Sequence, residues 1–491
     1  MAVGSSADVP CCTVAAKIPH VLVVPFPAQG HTNPALSVAR FLAANGISVT
    51  LVQASSSFLH QTNSTPASNG SHADAPAEAS PMRHETIPSG FDHSKPLSTE
   101  TLKASIDAMG SAFNELLQKL MLEENAPVCL LLDSFFGWGA AMALEFGLSR
   151  VTLWTSTAST LCLGIHVPDL VARGFLPATE EGAKDKTVDF LPELPAFRIA
   201  DMPKSLTGVE DLQSDTFKFF TSLFENAKLA DRILVNTMYE LETSVIESLR
   251  KVDHVDVDPV GPLYMISTIS SSVSLIQQDD DCLSWLDRQQ QSSVLYIAFG
   301  SLASVEENAI AELAHGLEAS GESFLWVIRR DTYKNKASVE EILPQGFMER
   351  TINRGLVILW APQLAVLGHS SVGAFLTHCG WNSVLESLSN GVPMLGFPQM
   401  AEQNTNLKLI VDDWKVGLPL LQTQGKTQRL ERIAAQKAIT SLMRGEEGLQ
   451  IRTQAREWKQ IAENATRGYS RNNLQKLVDD LKTGKLKHPK H

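Results

Sequence analysis

Short apolar runs alternate with amphipathic stretches along this chain. His20-Val-Leu-Val-Val-Pro25 is the kind of run that a strand covered on both faces requires. Phe26–His31 reads as a loop, after which Thr32 or Asn33 can cap a helix that takes Pro34 in its first turn. Leu36, Ala39, Arg40 and Ala43 continue at helical spacing, Asn45-Gly46 stops the helix, and Ser48–Val52 is the next strand. The same β-α-β grammar recurs, with strands at Val128–Leu132 and Val151–Trp154 around a helix at Gly139–Phe146. In the second half, strands Val294–Phe299 and Phe324–Ile328 flank a helix whose Ile310, Leu313, Ala314 and Leu317 share one face. Ser304-Val-Glu-Glu307 has the spacing of a capping box at its start. This alternation predicts an α/β fold with a covered parallel sheet in each half.

Three stretches interrupt the pattern. Residues 60–82 are polar and rich in Ala, Ser and Pro, and are expected to be disordered. Residues 178–188 read as a charged surface insertion. Residues 256–281, with Gly261-Pro262, a serine run and three consecutive aspartates, read as an interdomain linker.

Composition narrows the class without naming a function. A length of 491 residues suits roughly two to four domains, and 44% apolar with 19% charged residues is ordinary for a globular chain. Lys+Arg of 41 against Asp+Glu of 54 leaves a net charge of −13, which argues against nonspecific binding to nucleic acid or acidic membrane. Six cysteines without zinc-type spacing suit a reduced compartment. The N-terminus shows no signal-peptide pattern, and the longest apolar stretch, near 126–148, is cut by Asp133 and Glu145. A cytoplasmic, non-spanning protein is expected.

The segment with the most chemistry follows the predicted strand Ala374–Thr377. His378-Cys-Gly-Trp-Asn-Ser383 leads into a helix through Val384, Leu385 and Leu388. Gly380 permits a tight turn, Asn382 and Ser383 stand at a helix N-terminus, and His378 adds a donor beside it. Such a site can hold a phosphate through backbone N–H groups. Ser383-Val-Leu-Glu386 is also a capping box, so a plain capped helix remains open from this segment alone.

From Trp360-Ala-Pro-Gln363 to Glu402-Gln403, the chain resembles the donor-binding signature of plant secondary-metabolite UDP-glycosyltransferases, without a gap. Matching positions include Trp360, Gln363, His369, His378 through Ser383, Glu386, Gly391, Pro393, Pro398 and Gln403. Pro25–His31, Ala230–Thr237, Val260–Leu263, Cys282–Asp287 and Phe299–Ser301 resemble the same family. The likeness is weakest at 60–125 and 165–225, where family members differ in their acceptors.

The resemblance implies two facing doubly wound Rossmann-like domains, the GT-B arrangement. An acceptor domain would span residues 1–255, a linker 256–281 and a UDP-sugar domain 282–467. A last helix, 468–491, would pack back on the first domain. It implies that Trp360 stacks on uracil, the Ala361 backbone reads its edge, and Glu386 accepts from ribose hydroxyls with Gln363 nearby. Ser301, His378, Asn382 and Ser383 would hold the diphosphate across the turn at Gly380. Trp381, Glu402 and Gln403 would grip the sugar, and Gln29 and Thr155 would contact sugar or acceptor. Two positions depart from the pattern: Met400 stands where Trp is common, and Glu402 where Asp is commonest. Gln403 resembles glucose users.

Glycosyl transfer needs a base at the acceptor. His31 stands at the mouth of the first strand, and Asp133 ends the strand Val128–Leu132 at the same sheet edge. Both match the family's catalytic positions. Asp133 would orient Nδ1–H and stabilise the cation, while Nε2 takes the acceptor proton. A helix N-terminus is expected to keep His31 neutral at rest. Phe135, Phe136, Trp138 and Trp154 offer aromatic surface nearby.

The expected reaction is a single displacement that transfers glucose from UDP-glucose to a hydroxyl, best a flavonoid or other phenolic, giving a β-O-glucoside. UDP-glucose is the co-substrate, with no metal and no further cofactor; the Asp279–Asp281 run lies in the expected linker. A monomer is expected. A UDP-sugar epimerase or hydrolase on the same fold would need no acceptor cleft, and a noncatalytic UDP-sugar binder would gain nothing from His31 and Asp133. A nicotinamide enzyme is disfavoured because Gly137-Trp-Gly139-Ala-Ala-Met142 lacks its third glycine.

Overall fold

The computed structural model describes residues 17–55, 82–90, 98–180, 182–191, 193–253, 255–266, 280–300, 305–329, 338–421 and 429–486. The N-terminal sheet is built from β1 (His20–Val24), β2 (Ser48–Ala54), β3 (Met82–Ile87), β4 (Cys129–Asp133) and β5 (Ser149–Trp154). A small antiparallel pair, β6 (Thr187–Val188) and β7 (Phe197–Arg198), stands apart. β8 (Arg232–Val235) and β9 (Val257–Pro259) complete the large sheet, whose order is β3-β2-β1-β4-β5-β8-β9. The C-terminal sheet comprises β10 (Val294–Ala298), β11 (Ser323–Val327), β12 (Gly355–Ile358), β13 (Val372–Thr377), β14 (Met394–Gly396) and β15 (Gly417–Pro419). Its order is β12-β11-β10-β13-β14-β15, and every pairing in both large sheets is parallel.

The apolar runs become the strands because both faces of each sheet are covered. β1, β4, β5, β10 and β13 are buried along their whole length. The two halves also share a core: Trp154, Leu241, Trp381, Trp414 and Ala462 belong to one contiguous apolar cluster.

Three helix starts differ from expectation. The first helix runs Gln29–Ala44 from an extended Ala28, so Pro34 lies in the second turn and Thr32 spends its hydroxyl on the Phe26 carbonyl. The helix Glu307–Ser320 starts from Glu306 without a side-chain cap, and Ser304 lies outside the described residues. Trp381–Asn390 starts from Gly380, which puts Ser383 inside the first turn rather than at a cap.

The stretch read as a linker is also corrected. Residues 257–259 form β9 on the N-terminal sheet, and Leu263 and Ile266 are buried against it. Apolar Val257 and Val260 govern this part, whereas the serine and aspartate run that suggested a linker follows later; 267–279 lie outside the described residues. The expected disordered stretch likewise lies outside them, apart from Met82, which opens β3. The 178–188 insertion is partly docked, with Ala183 and Val188 buried. The last helix, Tyr469–Thr483, buries Leu474, Leu477, Val478 and Leu481 in the apolar cluster that the first helix forms with the N-terminal sheet, near β8 and β9. Arg232 Nη2 donates to Asp480 there at 2.8 Å.

Candidate active site

In each sheet the strand order reverses once, between β1 and β4 and between β10 and β13. Loops leaving those strand ends diverge and open a crevice, the usual ligand position in such sheets. Each reversal carries a histidine.

At the first, His31 lies in the opening turn of its helix and Asp133 is the last residue of β4. Val24 pairs with Leu132, so Asp133 sits one step beyond the paired ends. His31 Nδ1 donates to Asp133 Oδ2 at 2.7 Å, and Thr155 Oγ1 lies 3.0 Å from the same nitrogen. Asp133 Oδ1 accepts from the Phe135 amide at 3.0 Å. The aspartate side chain is fully buried, while that of His31 keeps 23% of its exposure. With the proton held at Nδ1, Nε2 is the basic nitrogen. Burial opposes charge on His31, but the charge and hydrogen bond of Asp133, together with the charge of Glu402, raise its pKa above 6.5. The helix N-terminus, expected to disfavour charge on this ring, therefore does not set the direction of the shift. A bonded carboxylate outweighs the half-charge of a helix end.

Thr155 buttresses the ring, and Gln29 is exposed at the first helical position. Phe26 and Phe135 meet His31 edge-on, with centroids 5.3 and 5.4 Å away, and Phe219 continues the wall 6.3 Å from Phe135. Of the aromatics expected here, only Phe135 reaches the ring. Phe136 is buried and stacks on Trp138, and Trp154 is core, its indole donating to the Thr157 carbonyl.

At the second reversal, His378 follows β13. A Cβ on Gly300 would come within 2.5 Å of its ring, and one on Gly380 within 2.3 Å. Glycine is required at both positions for the two loops to close on the imidazole. Burial pushes the His378 pKa down to about 4, and its Nδ1 is buried without a hydrogen-bond partner in the described structure. This ring is neutral at physiological pH. Beside it, the helix Trp381–Asn390 starts from Gly380 with no side-chain cap among the described residues, and the positive end of a helix suits an anion.

Farther along the same helix, Gln363 Nε2 donates to Glu386 Oε2 at 2.6 Å and to Ser383 Oγ at 3.0 Å. Tyr296 donates its hydroxyl to Gln363 Oε1 at 3.3 Å. Burial pushes the Glu386 pKa up to about 7, against the pull of the Gln363 hydrogen bond. Trp360 is half-buried and Ala361 buried just past β12. Gln363 thus ties the Glu386 carboxylate to the first turn of the helix.

The expected sugar contacts are partly rearranged. Trp381 is buried, and its indole donates to the Asn236 carbonyl at 2.8 Å, so its side chain is committed to the domain seam. Gln403 Oε1 accepts from the amides of Gln399 and Met400 at 2.7 and 3.0 Å, leaving its amide nitrogen to offer a ligand. Glu402 is half-buried; burial raises its pKa and the facing charge of His31 lowers it. Ser301 lies outside the described residues.

Sequence reasoning missed the residues that join the halves. Lys204 of the first domain donates from its backbone to Ala401 O and from Nζ to Gln399 O, at 3.0 and 2.7 Å. Asn404 and Thr405 donate back to the carbonyls of Ala200 and Asp201 at 3.1 and 2.9 Å. These bonds use mostly backbone carbonyls, which no side-chain pattern announces. Asn236 stood inside a quoted motif, but its partner across the cleft was not readable.

Among the described residues no cluster of three or more His, Cys, Asp or Glu is arranged to hold a metal, and no helix is long and apolar enough to cross a membrane. Cys129, Cys162, Cys282 and Cys379 are buried.

Two parallel sheets, each with one reversal of strand order, make the GT-B arrangement. Residues 20–427 match the family model described as UDP-glucoronosyl and UDP-glucosyl transferase, and the chain belongs to this family, among its plant members. It is 35% identical to UDP-glycosyltransferase 85A7 of Arabidopsis thaliana, over 94% of this chain and 96% of that one. It is 33% identical to linamarin synthase 1 of Manihot esculenta, over 95% and 97%. Among solved structures, a UDP-glucose:anthocyanidin 3-O-glucosyltransferase in complex with UDP superposes with a TM-score of 0.80 at 27% identity, covering 96% of this chain and 100% of that one. Phytolacca americana UGT2, complexed with UDP-2-fluoro-glucose and pterostilbene, gives 0.75 at 29% identity, covering 94% and 99%. The protein is a UDP-glycosyltransferase.

Proposed function

We propose that this enzyme transfers glucose from UDP-glucose to a hydroxyl of a small lipophilic plant metabolite, with a flavonoid or other phenolic as the first choice. The observation that carries the proposal is the 2.7 Å bond from His31 Nδ1 to the buried Asp133, which leaves Nε2 as a base in the aromatic-walled half of the cleft. His31 removes the acceptor proton as the acceptor oxygen attacks the anomeric carbon from the face opposite UDP. The anomeric C–O bond to the diphosphate breaks in the same displacement, so an α-linked donor yields a β-glucoside. Asp133 stabilises the imidazolium that results.

On the donor side, Trp360 stacks on uracil, Ala361 reads its edge and Glu386 accepts from the ribose. Neutral His378 and the amides of Asn382 and Ser383 receive the diphosphate charge as it leaves, without a metal. Glu402 and the Gln403 amide read the sugar hydroxyls. Both half-sites lie in one chain, which supports action as a monomer, and the sparse cysteines suit the cytoplasm. The test is a panel of phenols, alcohols and terpenoids incubated with UDP-glucose, with products identified by mass and anomeric NMR coupling. A β-O-glucoside of a phenol supports the reading. An α-linked product, or free glucose with every acceptor, contradicts it.

A further inference from the structure

The proline in the catalytic helix leaves an oxygen that the helix itself cannot satisfy. In Gln29–Ala44 the carbonyl of Gly30 would receive the amide of residue 34, and residue 34 is a proline without an N–H. That oxygen is taken instead by Asn382 Nδ2, at 2.7 Å, from the first turn of the helix at the phosphate-type site in the other domain. Asn382 Oδ1 in turn lies 3.4 Å from Asn236 Nδ2, and the adjacent Trp381 indole donates to Asn236 O at 2.8 Å. Gly30 is the immediate neighbour of His31. A single amide side chain therefore ties the backbone beside the proposed base to the helix end beside the proposed leaving group.

We propose that Pro34 is a positioning residue for the transfer reaction. By withholding an amide, it reserves the Gly30 carbonyl for Asn382, so that docking of the two domains fixes His31 relative to the diphosphate. An alanine at this position would satisfy Gly30 within its own helix and weaken the reach across the cleft. This inference rests on the functional reading above for its catalytic consequence, but the latch itself does not.

The experiment compares wild type, Pro34→Ala, Asn382→Ala and the double variant. Alanine is the better residue inside a helix, so Pro34→Ala should be at least as heat-stable as wild type. Its kcat for transfer should nonetheless fall about 3- to 15-fold, the size of one net hydrogen bond. UDP affinity and acceptor KM should change less than about twofold. The Pro34→Ala loss should vanish in the Asn382→Ala background, since both act through one bond. Hydrogen exchange without ligand gives a second readout. The helix start at Trp381–Ser383 should exchange faster in Pro34→Ala, while Gln29–Ala44 exchanges no faster. An unchanged kcat with unchanged exchange at Trp381–Ser383 overturns the proposal, and so does a loss that persists undiminished without Asn382. Altered exchange in a protein that transfers no sugar to any acceptor would uphold the latch and overturn the functional reading instead.

Discussion

His31 and His378 both stand at the strand-order reversal of a parallel sheet, His31 in the helix that follows β1 and His378 directly after β13, yet they are tuned in opposite directions. His31 has Asp133 at 2.7 Å and the charge of Glu402 nearby, and its pKa rises above 6.5. Among the described residues no carboxylate raises His378, which lies between Gly300 and Gly380 and falls to about 4. Burial acts against charge on both rings, so the difference lies in the partner. A site that must accept a proton keeps an anion beside its histidine. A site that must receive the charge of a leaving diphosphate needs a neutral donor and helix amides, where a carboxylate would repel the ligand.

Replacing the first ring should have the largest effect. His31→Ala is expected to lower turnover of a weakly acidic alcohol by roughly 10²–10⁴-fold, with little change in UDP affinity, as followed by product formation and calorimetry. A phenol of low pKa should lose much less, because it ionises without help. Asp133→Asn should move turnover in the same direction but less far, and should add little in the double variant, since a lone aspartate has no ring to orient.

The second ring should respond in another way. His378→Ala should reduce kcat by about 10²–10³-fold, as loss of an oxyanion donor does, and leave the pH profile unchanged. A shifted profile in this variant would dissolve the contrast between the rings.

Smaller effects should fall on the nucleoside end. Trp360→Ala should weaken UDP binding by roughly 5- to 150-fold, by analogy with the stacking of bases on aromatic side chains. Glu386 adds a pH dependence. Its pKa of about 7 means that the carboxylate, the form proposed to accept from the ribose, gains population as pH rises through 7. UDP affinity should therefore increase from pH 6 to pH 8, and Glu386→Gln should flatten that trend in calorimetric titrations.

Stability carries the opposite sign at both raised groups. His31 and Glu386 bind their protons more tightly folded than unfolded. Their contributions to stability are full below their ordinary values of 6.5 and 4.5 and are lost as pH rises through the folded values. Removal of metal should matter least: EDTA is expected to leave the initial rate of transfer unchanged.

What could be read in advance divides by range along the chain. The strands were legible because apolar runs bounded by turns specify parallel strands, and the His31–Asp133 pairing because both positions match the resembled family and lie on one edge of the predicted sheet. The order of contacts across the cleft was not. Trp381 looked like a sugar contact because its neighbours are ligand-facing in pattern, but the indole is consumed by Asn236 in the other domain. Thr155 and the Gly30 carbonyl acquire their partners only when distant segments meet. The raised pKa of His31 was missed because a helix end was weighed without the distance to Asp133. Helix starts shifted by a few residues for a local reason: Gly380 and Ala28 take extended conformations before their helices with no side-chain cap at all.

The contrast between the two histidines can be measured in one experiment. Nitrogen NMR of the histidine rings, assigned with His31→Ala and His378→Ala, reports each protonation midpoint in the folded enzyme. The expected result is a His31 midpoint above 6.5 that drops on Asp133→Asn, together with a His378 ring that stays neutral from pH 8 down to about 5. A His31 midpoint at or below 6.5 and insensitive to Asp133→Asn, or a His378 ring that titrates near 6.5, would contradict the account.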